Sequence, residues 1–167
     1  MLTILAARSE ESDDTMKRTL TAIATALALM SAAHARIGET LDESIARYGA
    51  IIAQTTAPDG GQFYTFAKGR YSIIIELDEH GRTSVIVYRK SDNSDMSDDE
   101  KQNFRDAESG GENWTQSTWR IWQTSRIAAF YELDPQGHDM FIIMTMERAV
   151  AETEKAKAAQ KDAQKGF

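Results

Sequence analysis

Two glutamates that precede the same short motif are the first candidates for chemistry in this sequence. Glu76 and Glu132 each precede a Leu-Asp-x-x-Gly pattern, in which an aspartate three residues before a glycine is typical of a tight turn. A pair of carboxylates can serve as the acid and base of a glycosidase. The sequence favours a second interpretation, in which both residues lie on the solvent side of amphipathic strands, because polar and apolar positions alternate there.

Other catalytic groups are scarce. The chain contains three histidines, and the last two of them, His80 and His138, lie in the two matched turns, where polar residues are usually solvated. A catalytic histidine needs a carboxylate and a nucleophile around it, and no G-x-S-x-G motif supplies one. The absence of cysteine removes thiol nucleophiles, cysteine-based zinc sites and c-type haem attachment. The sequence therefore predicts no catalytic residue and no cofactor.

A run of acidic residues is a candidate calcium site. Its members are Asp92, Asp95, Asp98, Asp99 and Glu100. An EF-hand loop needs acids at alternate positions, a glycine at the sixth and a glutamate at the twelfth, and this run has neither that spacing nor that glycine. Acids in the first turn of a helix explain Asp98 and Asp99 better, so no metal site is predicted.

Three tryptophans form the most promising candidate surface. Trp114, Trp119 and Trp122 follow a Gly-Gly pair. Trp119 and Trp122 are three residues apart, so on one strand they would point to opposite faces, one into the core and one outward. An exposed tryptophan can stack on a sugar ring or on a side chain of a partner protein. The alternative is that all three fill the space between a helix and the sheet.

Residues 16–35 have the three parts of a secretory signal peptide. A basic Lys-Arg pair precedes an uncharged apolar run (TLTAIATALALM) and an Ala-His-Ala sequence that ends at Ala35. The apolar run is too short to cross a bilayer, which takes roughly 20 residues. We therefore predict export by the general secretion route, cleavage between Ala35 and Arg36, and a periplasmic or secreted protein.

The boundaries of this segment carry two further expectations. Residues 1–15 contain four acids and fit no signal peptide, so translation is expected to begin at Met16. The residue after the cleavage site is Arg36 rather than the cysteine of a lipoprotein. The mature chain is expected to carry neither a lipid anchor nor a transmembrane anchor.

The charge balance limits the partners. The chain has 19 basic and 26 acidic residues and a formal net charge of −7. Nucleic acids and anionic membranes attract basic surfaces, so both are disfavoured. The expected partner is an envelope protein or a polysaccharide.

The mature chain is expected to form one α+β domain, residues 36–147, made of two αβββ units on an antiparallel sheet. Each unit opens with a capping box, at residues 40–43 (TLDE) and 97–100 (SDDE). Residues 63–90 align without gaps on residues 119–146, at an offset of 56. Internal duplication would explain this, but any two antiparallel meanders look similar, and both explanations stay open.

Strand and tail patterns complete the expected organisation. Tyr71, Ile73, Ile75 and Leu77 lie on one face by strict alternation, with Ser72 and Glu76 on the other, which is typical of a strand with one buried face. Residues 148–167 are rich in alanine and mixed charge, and they predict a solvated, charged helical tail.

Short motifs add a resemblance. RIGET at 36–40, RYG at 47–49, YRK at 88–90 and Trp114 resemble a family of small exported bacterial proteins of uncharacterised function. More distantly, G-x-T, a short helix and a meander resemble the small lipoprotein of the outer-membrane assembly machine and the beta-lactamase inhibitor protein. That likeness implies a binding role rather than catalysis.

The sequence thus predicts a non-enzymatic binding module of the bacterial cell envelope. The alternative is an envelope hydrolase that uses carboxylates. The hydrolase requires Glu76 and Glu132 to face each other across a cleft. The binding module requires an exposed surface around the tryptophans.

Overall fold

The computed structural model describes residues 36–57 and 60–164. These residues form three helices and eight strands. The helices are α1 (Leu41–Tyr48), α2 (Asp98–Glu108) and α3 (Met146–Gln164). The strands are β1 (Ile51–Thr56), β2 (Gln62–Lys68), β3 (Tyr71–Leu77), β4 (Thr83–Lys90), β5 (Thr115–Thr118), β6 (Ile121–Gln123), β7 (Ile127–Leu133) and β8 (Asp139–Thr145). Residues 1–15, which are predicted to precede the true start of translation, lie outside the described residues, as does the predicted signal peptide (16–35).

The first two helices begin where their capping boxes predict. Thr40 caps α1 and Ser97 caps α2, and in each box the glutamate three residues later bonds back to the backbone of the cap. Gly49 ends α1 with a positive φ of 98°, a conformation that a side chain would strain. Local sequence therefore determines both helix starts.

All eight strands belong to one antiparallel sheet in the order β1-β2-β3-β4-β8-β7-β6-β5. Each half of the chain forms a four-stranded meander, and the two meanders join edge to edge where β4 pairs with β8. Both edges of the sheet are the first strands of their meanders. The α+β class with an antiparallel sheet is confirmed.

Each half contains four strands after its helix, rather than the three of the predicted αβββ unit. The missed strands are the edge strands β1 (IIAQTT) and β5 (TQST). Both are largely exposed, and neither shows the alternation of buried and solvated residues that identifies a strand in sequence. Only their pairing with β2 and β6 makes them strands.

The gap-free alignment of the two halves is wrong along β4 and β8. A bulge shifts the pairing of β3 with β4, so that Leu77 pairs with Thr83 but Glu76 pairs with Val85; the pairing of β7 with β8 has no such shift. The offset of 56 matches Ile86 with Ile142, yet these two residues belong to clusters on opposite faces of the sheet. The alignment holds between β3 and β7, and internal duplication stays a prediction.

The sheet separates two apolar clusters. The larger one lies between the sheet and helices α1 and α2; its buried members are Tyr48, Tyr64, Phe66, Ile73, Ile75, Ile86, Tyr88, Met96, Ile127, Ala129, Phe141 and Ile143. The smaller one lies on the other face, where Ala149 of α3 packs against Val85, Ile142 and Met144. Helix α3 contains no buried residue, and every residue from Thr153 to Gln164 is exposed. Within residues 36–57 and 60–164, no helix has the length and apolar character needed to span a membrane.

Candidate binding site

A cavity of about 340 Å³ opens between α2 and the β5–β6 hairpin. We call it the tryptophan pocket. Its lining residues are Asp98, Lys101, Arg105, Trp119, Trp122 and Tyr131. Aromatic rings form one side and charged side chains of α2 form the other. The volume is at the lower end of the range for small-molecule sites in proteins.

Helical and strand spacing place these groups together. Lys101 and Arg105 are four residues apart on α2, so they share one face of the helix. Trp122 on β6 and Tyr131 on β7 lie on the sheet opposite that face, with ring centroids 5.4 Å apart in an edge-to-face arrangement. The pocket is thus formed between helix α2 and strands β6 and β7 of the sheet that it covers.

Each cation of the pocket lies over an aromatic ring. The Arg105 guanidinium is 4.2 Å from the centroid of the Trp122 ring, and the Lys101 ammonium is 4.0 Å from that of Tyr131. These distances fall within the range of cation–π attraction, which is worth about 0.5–2 kcal/mol. The contacts fix the orientation of the cations at the wall of the pocket.

Arg105 carries a positive charge that no ion pair neutralises within the described residues. The residue is only 8% exposed. Its guanidinium donates to the side-chain oxygen of Gln102, and it forms no ion pair with any residue in the described part of the chain. Burial lowers the pKa of Arg105 from its ordinary value, because the charged form is poorly solvated, and the more distant carboxylates of Asp106 and Asp98 offset this only in part. A buried, unneutralised cation beside a cavity favours an anionic ligand.

Lys101, by contrast, already has carboxylate partners. Its ammonium lies 3.5 Å from Asp139 and 3.9 Å from Asp98. Lys101 therefore completes the pocket wall, while Arg105 supplies the unneutralised charge.

The N-terminal end of α2 is held to the sheet through Glu100. Its carboxylate accepts from Tyr71 at 2.5 Å and forms ion pairs with Arg70 at 2.7 Å and Lys90 at 3.1 Å. Burial by itself raises the pKa of Glu100, but the hydrogen bonds from Tyr71, the Ser97 backbone and Lys90 lower it to about 2. This cluster fixes the helix that carries Lys101 and Arg105.

Trp119 and Trp122 do not share a strand, which the expected division between opposite faces assumed. Trp119 lies in the two-residue turn between β5 and β6, outside either strand, so the alternation of a strand does not apply to it. Both rings line the tryptophan pocket. Trp119 is 71% exposed, with the Arg120 guanidinium 3.9 Å from its ring centroid. An exposed indole at the pocket rim is available to a ligand.

Trp114 packs against the core and contacts the backbone of α2. Its indole N–H donates to the backbone carbonyl of Arg105 at 3.0 Å, and the ring packs against the large core. It also lines a shallow depression next to the tryptophan pocket, together with Arg105 and Trp122. Trp114 therefore supports the helix backbone from which Arg105 projects.

The cations of the pocket were not identified from the sequence. Lys101 and Arg105 belong to a helix whose other residues are mostly charged or polar, and such a composition predicts that their side chains are exposed to solvent. The only signal available was their four-residue spacing on a helix close in sequence to three tryptophans.

The two matched glutamates line a different cavity, a groove of about 750 Å³ between α3 and the open face of the sheet. The row of paired residues from Glu76 passes through Val85 and Met144 to Ala128. That row crosses three strand spacings, or roughly 14 Å, and Glu132 lies four residues, or roughly 13 Å, farther along β7. A glycosidase pair is about 5 to 9.5 Å apart, so the structure does not bring these carboxylates together.

Glu76 is also occupied by an ion pair. Its carboxylate lies 3.1 Å from the guanidinium of Arg148, at the start of α3. The pair joins α3 to the sheet across the groove. A carboxylate held this way serves the attachment of the helix.

The two turn histidines occupy different surroundings. His80 is exposed, whereas His138 lies 3.1 Å from the carboxylate of Asp134, to which Arg89 also donates at 3.3 Å. The backbone N–H of His138, together with the ring, lowers the pKa of Asp134 to about 2. The pair closes the β7–β8 turn against β4.

Comparisons with known proteins add little to this geometry. No protein-family model matches the sequence, and no curated protein is significantly similar to it. One solved structure, a cysteine-rich secretory protein from Staphylococcus aureus, aligns with a TM-score of 0.46 and 12% identity over 71% of this chain. The aligned part spans 47% of that protein.

Proposed function

We propose that this protein is a non-enzymatic binding module exported to the bacterial cell envelope, and that the tryptophan pocket holds an acidic sugar unit of a polysaccharide. The observation that carries the proposal is the unneutralised cation of Arg105, buried beside Trp122 and open to the cavity. A carboxylate on a sugar ring would meet the guanidinium. The flat face of the ring would stack on the exposed indole of Trp119.

The chemistry of the pocket favours this ligand over the alternatives. A nucleic acid presents a phosphate at every nucleotide and needs an extended basic surface, which a formal net charge of −7 disfavours. A single charged group in a cavity of about 340 Å³ needs only the local cation. The resemblance to the beta-lactamase inhibitor protein type agrees with binding, although it implies a protein partner rather than a saccharide.

The carboxylate hydrolase, the alternative from the sequence, has weaker support. Its two candidate residues are too far apart, and Glu76 is ion-paired with Arg148. No specific observation favours it.

The Trp119→Ala variant tests the ligand. In titration calorimetry with an otherwise neutral oligosaccharide that carries one uronic acid unit, we expect Kd to rise about tenfold or more, because the stacking surface is lost. The free energy of unfolding should stay within about 0.5 kcal/mol of the wild-type value, because the side chain is 71% exposed.

Two controls accompany this titration. A neutral glucose oligosaccharide should bind far more weakly than the acidic one, and Ile52→Ala, an exposed apolar truncation on β1, should leave Kd unchanged. Equal Kd values for Trp119→Ala and wild type would contradict the proposed site. Capture of an envelope protein through the same tryptophan, without saccharide binding, would replace the polysaccharide by a protein partner.

Export is tested separately. Mass spectrometry of the protein recovered from the periplasm or the culture medium should show a chain that begins at Arg36, as signal cleavage after Ala35 requires. Recovery of a chain that keeps residues 16–35 would contradict the proposed export.

A further inference from the structure

Glu108, at the C-terminal end of α2, is a fully buried carboxylate with 0% exposure. One of its oxygens accepts from the hydroxyl of Tyr88 at 2.7 Å. The other accepts from the backbone N–H of Arg36 at 3.0 Å. The guanidinium of Arg36 lies 3.3 Å from the first oxygen. A single residue, Arg36, thus contacts both oxygens of the carboxylate.

The backbone nitrogen in this contact has a special place in the chain. It belongs to the peptide bond that the predicted signal cleavage would break. Hydrolysis of the Ala35–Arg36 bond consumes one water, leaves the carboxyl group on Ala35, and frees the Arg36 nitrogen as an amine that takes up a proton. The N–H that now faces Glu108 would then belong to a positively charged α-ammonium group.

We infer that Glu108 is the binding site of the mature N-terminus, where the α-ammonium group of Arg36 forms a buried ion pair after cleavage. The inference rests on the proposed export, because only processing after Ala35 creates this group. Burying a carboxylate is costly unless charge and hydrogen bonds compensate it. Cleavage would supply a second positive charge 3.0 Å from an oxygen that already accepts from the same nitrogen.

The segment around Arg36 is held in place by contacts that cleavage would not break. The N–H of Gly38 donates to the carbonyl of Thr83 at 2.7 Å, and the N–H of Thr83 donates to the carbonyl of Glu39 at 2.7 Å. The Arg36 guanidinium also donates to the Tyr88 hydroxyl at 2.9 Å. The nitrogen is therefore positioned before the charge appears, which lowers the entropic cost of forming the pair.

The groups that influence this carboxylate come from three elements. They are Arg36 and Glu39 on the N-terminal segment, Tyr48 on α1, and Tyr88 on β4. Burial raises the pKa of Glu108 to about 7 in the uncleaved chain, although Arg36 and Tyr88 act to lower it. A carboxyl group with so high a pKa is poorly compensated, and an added ammonium group would favour its ionised form.

The first test is the pKa of the α-amino group in a chain that begins at Arg36, released from a fusion by a protease that leaves no extra residue. NMR titration of the labelled Arg36 nitrogen should show this pKa raised by about one unit or more above its ordinary value of about 7.7 to 8.0. The same titration in denaturant supplies the reference. A pKa equal to the reference or below it would overturn the inference.

The second test is a double-mutant cycle. Retaining Ala35 removes the α-ammonium group and should raise the equilibrium constant of unfolding about tenfold at pH 7. In a Glu108→Gln background the same extension should change that constant less than twofold. An equal effect in both backgrounds would show that Ala35 acts without Glu108 and would overturn the inference.

These outcomes are independent of the export experiment. Every chain in the two tests is made with a chosen N-terminus. The pKa and the double-mutant cycle therefore report on the ion pair whether or not the cell cleaves after Ala35. If Glu108→Gln does not fold, the NMR titration of the unsubstituted protein still decides the question.

Discussion

Replacing Phe141 with alanine is expected to lower the free energy of unfolding by about 3–5 kcal/mol. Phe141 is fully buried, and it pairs with Tyr88 where β4 meets β8, the seam between the two meanders. Its ring also contacts Tyr131, with centroids 5.3 Å apart. Truncation would leave a cavity in the shared core, and chemical denaturation followed by circular dichroism measures the cost.

Leu133→Ala provides the matched control. Leu133 is also an apolar residue of the central part of the sheet, but it is 55% exposed. Its truncation should change the free energy of unfolding by no more than about 0.5 kcal/mol. Similar losses for both variants would contradict the placement of the core. Two separate transitions in Phe141→Ala would show that the halves fold independently, against a single shared core.

The second large effect is a loss of stability as the pH rises from 4.5 to 7, in a chain that keeps Ala35. The pKa of Glu108 is about 7 when folded, against an ordinary value of 4.5. The folded state therefore binds the proton more tightly than the unfolded state does. This stabilisation is fully present below pH 4.5 and is lost as the pH rises to about 7, at a cost of about 3 kcal/mol.

Carboxylates with lowered pKa values act in the opposite direction. Hydrogen bonds and ion pairs keep Glu100 ionised when folded, with a pKa of about 2. Its contribution is present above its ordinary pKa of 4.5 and is lost as the pH falls towards 2. The stability of the Ala35-containing chain should therefore be greatest near pH 4.5 to 5, where neither loss has occurred.

Urea denaturation between pH 3 and pH 8 measures this profile. In Glu108→Gln the stability should no longer decline between pH 4.5 and 7, because glutamine does not titrate. The loss of stability below pH 4.5 should remain. A chain that begins at Arg36 should show a smaller decline, because an ammonium group stabilises the ionised carboxylate. A decline of equal size in Glu108→Gln would assign it to another group.

The parts of the fold that depend on neighbouring residues in sequence could be predicted. The capping boxes of Thr40 and Ser97 and the stop at Gly49 set the first two helices, because caps act within four residues. Every second residue from Tyr71 to Leu77 is apolar, and this period of two marked β3, in which Ile73 and Ile75 are buried.

Features that depend on pairing could not be predicted. The bulge beside Glu76 inserts one residue into β4, and nothing in the local sequence distinguishes it from a regular strand. The placement of Trp119 in a turn depended in the same way on where β5 and β6 begin to pair. A one-residue difference in register moves a side chain to the other face of a sheet.

The sequence by itself determined the starts of α1 and α2, the apolar face of β3 and the hairpin turns, because short-range hydrogen bonds and periodic burial act within a few residues. Only the tertiary structure placed Arg105 beside Trp122, and Glu108 against the nitrogen of Arg36, 72 residues away. Both contacts are made by side chains of α2, the helix that packs onto the sheet. Their charges matter because packing removes the water that would otherwise solvate them.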